Sequence, residues 1–226
     1  MEVNGYTIAR GANLRGAHLV KTDLIDANLT GAFLSGADLA GANLMNANLE
    51  SADLTGAFLS GADLTGANLT NANLESADLT GADLQNAKAT GANLQNTKVT
   101  GANLTNANLE SADLTRAVLT NADVARANLQ NAKVTHADLT HADLTLADLT
   151  GANLYGAHLV KANLTQANLE SADLRGAYLR GANLTNVNLG SAKMFRANLL
   201  GAILTGADFS GAILTGAIMP DGSIHD

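Results

Sequence analysis

A five-residue period runs through this chain without a slip, reading Ala-Asp/Asn-Leu-X-X from Gly11 to Met219. With the leucine as the centre, 42 units follow one another, and 35 of the centres are Leu. The other seven, Ala89, Val99, Val124, Val134, Met194, Phe209 and Met219, are apolar as well. Two residues earlier stands Ala in 39 units, the exceptions being Thr22, Thr97 and Val187. Between those two apolar columns lies Asp or Asn in 29 units, and Thr and Gly recur in the two positions after the centre.

This period excludes a helix. Five residues at about 100° each advance by about 500°, which displaces successive leucines by about 140° and leaves no continuous apolar stripe. Local alternation fits instead: Ala inward, Asp or Asn outward, Leu inward, after which the X-X pair must redirect the chain. Gly, Asn and Ser suit that corner, because Gly has no Cβ penalty and short polar side chains bond nearby backbone groups. One such unit buries two side chains and cannot stand alone. It gains a core only when the chain coils and equivalent units stack, so the expected object is an all-β solenoid.

Segments such as Ala12-Asn13-Leu14, Ala37-Asp38-Leu39 and Ala52-Asp53-Leu54 resemble the pentapeptide-repeat family, and the likeness covers residues 12 to 219. The resemblance implies a right-handed quadrilateral β-helix with four pentapeptides per coil. On that geometry residues 20 apart are neighbours, the units make about 10 coils, and a strand spacing of about 4.8 Å gives a rod of about 50 Å. Residues 1–10 depart from the repeat and supply Val3, Tyr6 and Ile8 as an expected N-terminal cap, ahead of the repeat body at 11–219. Residues 220–226 form a tail that begins with the only proline, Pro220, which cannot donate to a ladder. Near-identical stretches at 47–54, 72–79, 107–114 and 167–174 mark internal duplication.

Charge and composition narrow the function. Thirteen Lys and Arg against 21 Asp and Glu leave a formal net charge of −8, which disfavours a general nucleic-acid surface. No apolar run approaches the ~20 residues of a membrane span, and residues 1–10 lack a leader-like pattern, so a cytoplasmic chain without membrane contact is expected. The absence of cysteine removes thiolate and disulfide chemistry.

Reading the columns at intervals of 20 tests each candidate site. His136 and His141 fall at successive corners, and His18 and His158 share a column seven coils apart, so no metal site is expected. Asp63 stacks with Asp83 and Asp123 with Asp143, but a thin rod filled by Leu and Ala offers no walled cleft for acid and base work. No catalytic residue and no cofactor are expected; Asn43, Asn103 and Asn163 interleave the acids. Asn28, Asn48 and Asn68, then Asn108 and Asn128, then Asn168 and Asn188, form an expected amide ladder. The files Thr80, Thr100, Thr120, Thr140 and Thr145, Thr165, Thr185, Thr205 are expected to pair across strands.

One departure from this monotony stands out. Tyr155, Arg175 and Phe195 are consecutive on one file, which would place the guanidinium between two rings. Tyr178 and Arg180 run alongside, with His158, Val160, Lys161, Lys193, Arg196, Asn198 and Leu200 close by. The candidate partner surface is therefore Tyr155, Arg175, Phe195, Tyr178, Arg180 and Lys193, since Tyr and Arg are enriched at binding hot spots. A second surface is the C-terminal end, where Ile203, Ile213 and Ile218 take places usually held by Asp or Asn. They imply cover by the tail or by a second copy, hence a monomer or an end-to-end dimer through the last coil.

These features point to a non-catalytic, structural or protein-interaction solenoid whose partner is another protein of unspecified identity. The alternative is a DNA-mimic modulator of a type II topoisomerase (gyrase), since acidic rods of the resembled family protect that enzyme. Against it, such members favour Phe at the centre, several carry projecting loops, and they dimerise through a C-terminal module. Finally, Ala89 and Val99, ten residues apart, are two shortened centres, and a small void is expected there.

Overall fold

The computed structural model describes residues 1–226. Its corners are where the sequence exerts most control. Every fifth residue from Gly11 to Gly216 has a φ between 51° and 71°, in the left-handed region. That column holds Gly, Asn, Ser and scattered longer residues such as Lys21, Arg116 and Leu146, but no Val, Ile or Thr, whose branched Cβ is least tolerated there. The carbonyl of each centre accepts from the amide three residues on, as Leu14 does from Ala17 at 3.1 Å, closing a four-residue β-turn around the left-handed residue. The Asp or Asn side chain supports the same corner: Asp23 Oδ1 accepts from the Ile25 amide at 3.2 Å, and Asn48 Oδ1 from the Glu50 amide at 3.1 Å.

Between corners the chain is extended for so few residues that each face carries one parallel bridge. The bridges join residues 20 apart without interruption from Asn13–Phe33 to Asn198–Ile218, which fixes four pentapeptides per coil. The ladder repeats around them: the Leu14 amide donates to Phe33 O at 2.7 Å, and the Phe33 amide donates to Ala12 O at 2.9 Å. The fold is a right-handed quadrilateral β-helix, with the Leu and Ala columns forming one continuous buried core along its axis. The two threonines in the Ala column are satisfied, since the hydroxyls of Thr22 and Thr97 each donate to the carbonyl three residues back at 2.7 Å. At the short centre Ala89 the backbone keeps its course, with its amide 2.7 Å from Asn108 O.

The two ends differ. Strands β1 (Glu2–Val3) and β2 (Tyr6–Thr7) form an antiparallel hairpin turned at Asn4 and Gly5, both with positive φ, as a two-residue primed turn requires. Ile8 is buried in the core and Val3 and Tyr6 pack against it. At the other end the tail folds back so that Ile224 bridges Ile218 antiparallel. That cover reaches one isoleucine only, because Ile203 and Ile213 remain about half exposed.

The asparagine ladder is present as hydrogen-bonded pairs. Asn68, Asn128 and Asn188 each donate through Nδ2 to the asparagine one coil below, at 3.2, 3.2 and 2.9 Å. The stacked acids are interleaved as expected, with Asn103 donating to Asp83 at 3.1 Å and Asn163 to Asp143 at 3.2 Å. Direct threonine pairing is not what forms. Thr145 Oγ1 donates to Asp143 at 2.5 Å and accepts from Asn163 at 2.8 Å, and Thr165 repeats this with Asn163 and Asn183. The carboxylate or amide two residues back is nearer and a stronger acceptor than another hydroxyl, so stacked threonines are joined through Asn.

Candidate functional site

Glycine-bearing corners interrupt the regular surface in the C-terminal half of the rod. Two successive glycines, Gly156 and Gly176, bare one corner, and Gly181 and Gly201 bare the next. Where long side chains flank such a corner a notch is left between them, and the molecule's three surface cavities lie in these places. A cavity of about 480 Å³ is lined by Val160, Lys161, Arg180, Leu200 and Pro220 around Gly181 and Gly201. Two of about 260 Å³ flank Gly176, one walled by His136, Tyr155, His158 and Tyr178, the other by Tyr155, Arg175, Phe195 and Arg196. The grooves are shallow and open rather than walled clefts, and they form where long side chains such as Arg180 and Leu200 rise beside a glycine corner. The stacked Gly41, Gly61, Gly81 and Gly101, flanked by Ala40, Ser60, Thr80 and Thr100, leave none.

The face between the two notches carries His158, Tyr178 and Asn198, bridged in that order. The His158 and Tyr178 rings meet at 4.7 Å between centroids, and the His136 ring meets Tyr155 edge-on at 5.4 Å. Tyr155, Tyr178 and Phe195 are exposed. Asp138, bridged to His158 from the coil below, is half-buried. Burial pushes its carboxyl up, but hydrogen bonds from Thr140 and the nearby His158 outweigh this and hold it below the usual range.

Arg175 does not lie between two rings. Its Nε and Nη2 grip Asp173 at 2.8 and 2.6 Å, which leaves it 5.8 Å from the Tyr155 centroid, while Phe195 is covered instead by Arg196 at 4.9 Å. The bidentate pair with the acid two residues back wins over a second ring. The hydrogen bond from Arg175, against the cost of burial, holds the Asp173 carboxyl below its ordinary value. Lys193 stands around the corner, bridged to Asp173 on the preceding face. The structure thus gathers Tyr155, Arg175, Phe195, Tyr178 and Arg180 about one face and sets Lys193 beside it.

With Arg175 neutralised, the cations on this face without a salt-bridge partner are Lys161, Arg180 and Arg196. Sequence columns did not place His136 in this site, because its ring meets Tyr155 diagonally, 19 residues away rather than 20. Nor did they single out the notches, whose signal was the pairing of glycines at 156 and 176 and at 181 and 201 with long neighbours such as Tyr155, Arg180 and Leu200, a combination that the stacked Gly41, Gly61, Gly81 and Gly101 lack. No group of three or more His, Cys, Asp or Glu side chains is placed to hold a metal ion. No helix is long and apolar enough to cross a membrane.

The chain belongs to the pentapeptide-repeat family, whose pentapeptide repeats match in eight copies from residue 10 to residue 220. Among solved structures it is similar to HetL, a pentapeptide repeat protein involved in heterocyst differentiation regulation from the cyanobacterium Nostoc sp. strain PCC 7120. The identity is 43%, the TM-score 0.69, and the match covers 92% of this chain and 91% of that one. It also resembles QnrB1, a plasmid-mediated fluoroquinolone resistance protein, at 22% identity and a TM-score of 0.54, over 66% of this chain and 84% of that one. That second likeness is one of fold. No curated protein matches the chain.

Proposed function

We propose that this protein is a non-catalytic interaction rod, acting in the cytoplasm, that presents the Tyr178 face of its C-terminal half to another protein. The observation that carries this reading is the coincidence of all three cavities with exposed Tyr155, Tyr178 and Phe195 and with three unpaired cations. Exposed aromatic and arginine side chains beside shallow grooves are the usual makings of a hot spot, whereas chemistry needs an enclosed site that these grooves do not supply. The 43% likeness to HetL, itself involved in regulation, supports a regulatory role. Capture from native extract tests it: Arg175→Ala with Tyr178→Ala releases the partner retained by the parent chain, and unchanged retention removes the proposal.

A second reading, modulation of a type II topoisomerase, draws on the stacked acids Asp63–Asp83 and Asp123–Asp143 and the net charge of −8. Titration of the purified chain into a gyrase supercoiling assay separates the two. The interaction-rod reading expects supercoiling to be unaffected.

A further inference from the structure

The charges of this chain are segregated along the rod. Residues 155–201 contain five Lys and Arg, Lys161, Arg175, Arg180, Lys193 and Arg196, against two acids, Glu170 and Asp173. The remaining residues hold eight basic and 19 acidic side chains. A segment of net +3 is therefore set in a rod of net −11, and its free cations project beside the two notches. Resting on the reading of this face as the partner surface, we infer that its occupant is a short acidic polypeptide segment laid across Tyr178 from one notch to the other.

Three features select that chemistry. Arg180 and Arg196 offer planar forks that match carboxylates, and Lys161 adds a point charge at the rim of the larger notch. Val160, Leu200 and Pro220 in one notch, and Tyr155 with Phe195 in the other, receive apolar side chains between the acids. The footprint is small: three coils at a spacing of about 4.8 Å and one face wide, room for roughly six extended residues. A nucleic acid fits this footprint poorly. Its evenly charged backbone continues beyond the patch, where Asp138 lies one coil below His158 and Asp173 lies on the adjoining face.

Fluorescence anisotropy with three labelled probes tests the inference: an octapeptide alternating Glu and Leu, its Lys-Leu counterpart, and an octathymidylate strand. The acidic peptide is expected to bind saturably, at least tenfold tighter than either of the others. Arg180→Glu and Tyr178→Ala should each weaken it about tenfold. Lys88→Glu, with the same change of net charge on a distant face, should leave it unaltered. Equal binding of octathymidylate, equal weakening by Lys88→Glu, or no binding of the acidic peptide each overturns the inference. Dimerisation of the parent chain that Arg180→Glu abolishes, seen by sedimentation, also overturns it, since the occupant is then a second copy. If the acidic peptide fails while Tyr178→Ala still releases the native partner, the partner surface stands and only its acidic chemistry falls.

Discussion

The imidazole of His136 lies directly over Gly156, one coil further along the same corner, so that a Cβ at residue 156 would meet His136 Nδ1 at 2.5 Å. Gly156 also has a φ of +62°, which other residues adopt at a cost. Gly156→Ala is therefore expected to destabilise the rod by about 1 kcal/mol from backbone strain alone. It should also turn His136 off the edge of Tyr155. Thermal unfolding reads the first effect and the His136 ring resonances the second; an unmoved ring with unchanged melting would show that the notch has slack.

Asn108 serves two partners through one oxygen, accepting from the Glu110 amide at 3.0 Å and from Asn128 Nδ2 at 3.2 Å. Asn108→Ala removes both acceptor roles and should cost about 1–2 kcal/mol. Asn108→Asp keeps both acceptors and should cost less at neutral pH. Chemical denaturation of the two variants checks the order, and equal losses would mean that the corner bond contributes nothing.

Ala89 interrupts a core of leucines with a side chain three carbons shorter, while its backbone bonds are those of any other centre. Ala89→Leu is expected to raise stability by about 1–3 kcal/mol if the layer holds the missing volume. A lowered melting temperature would show that Leu69, Leu109 and neighbouring side chains have already closed in.

How far the sequence revealed this molecule depends on whether a feature repeats. The solenoid was legible because Ala, Asp or Asn, and Leu recur in strict register, but a five-residue period does not set the number of faces, and the bridges at intervals of 20 were expected only from the family resemblance. The role of the outward Asp and Asn was only half legible. Stacking showed in the columns, but the bond to the amide two residues on, as in Asp23 to Ile25, is local and leaves no column signature. The face proposed for a partner was marked in the sequence by Tyr155, Tyr178 and Arg180. The pairing of Arg175 with Asp173 was missed, because a neighbour two residues away competes with neighbours 20 away and column reading ignores it. The hairpin at Asn4-Gly5 escaped notice although that dipeptide is a strong turn signal.

Stability should fall at low pH, and the sign follows from the corner carboxylates. Asp113, Asp138, Asp148 and Asp173 all lie below the ordinary value of 3.8 in the folded chain. For Asp148, burial pushes the value up, and hydrogen bonds from Thr150 and Gln130 overcome it. A depressed folded value means that the unfolded chain binds protons first as pH drops, so the stabilisation is full above about pH 4–5 and is lost progressively below. Melting temperature is expected to be flat from pH 7 to 5 and to fall below 4. Asp148→Asn should flatten that fall slightly; an identical acid profile would remove Asp148 from the account.

Unfolding should begin at the C-terminal coil. The amides of Leu204, Phe209 and Leu214 have no backbone acceptor, whereas each centre from Leu14 to Leu199 donates to the coil above. Leu204, Phe209, Leu214 and Met219 are only partly buried, and the tail returns over the face of Ile218 alone. The N-terminal coil differs, since Ile8 and the hairpin close it and Leu14 is 2% exposed. In a rod held by nearest-neighbour contacts, the coil with a missing neighbour opens at the lowest free energy. Hydrogen exchange followed by mass spectrometry should show protection rising from residues 204–219 toward the middle and staying high to Leu14. If the last coil is instead as protected as the centre, a second copy must cover it, and dilution should then restore fast exchange.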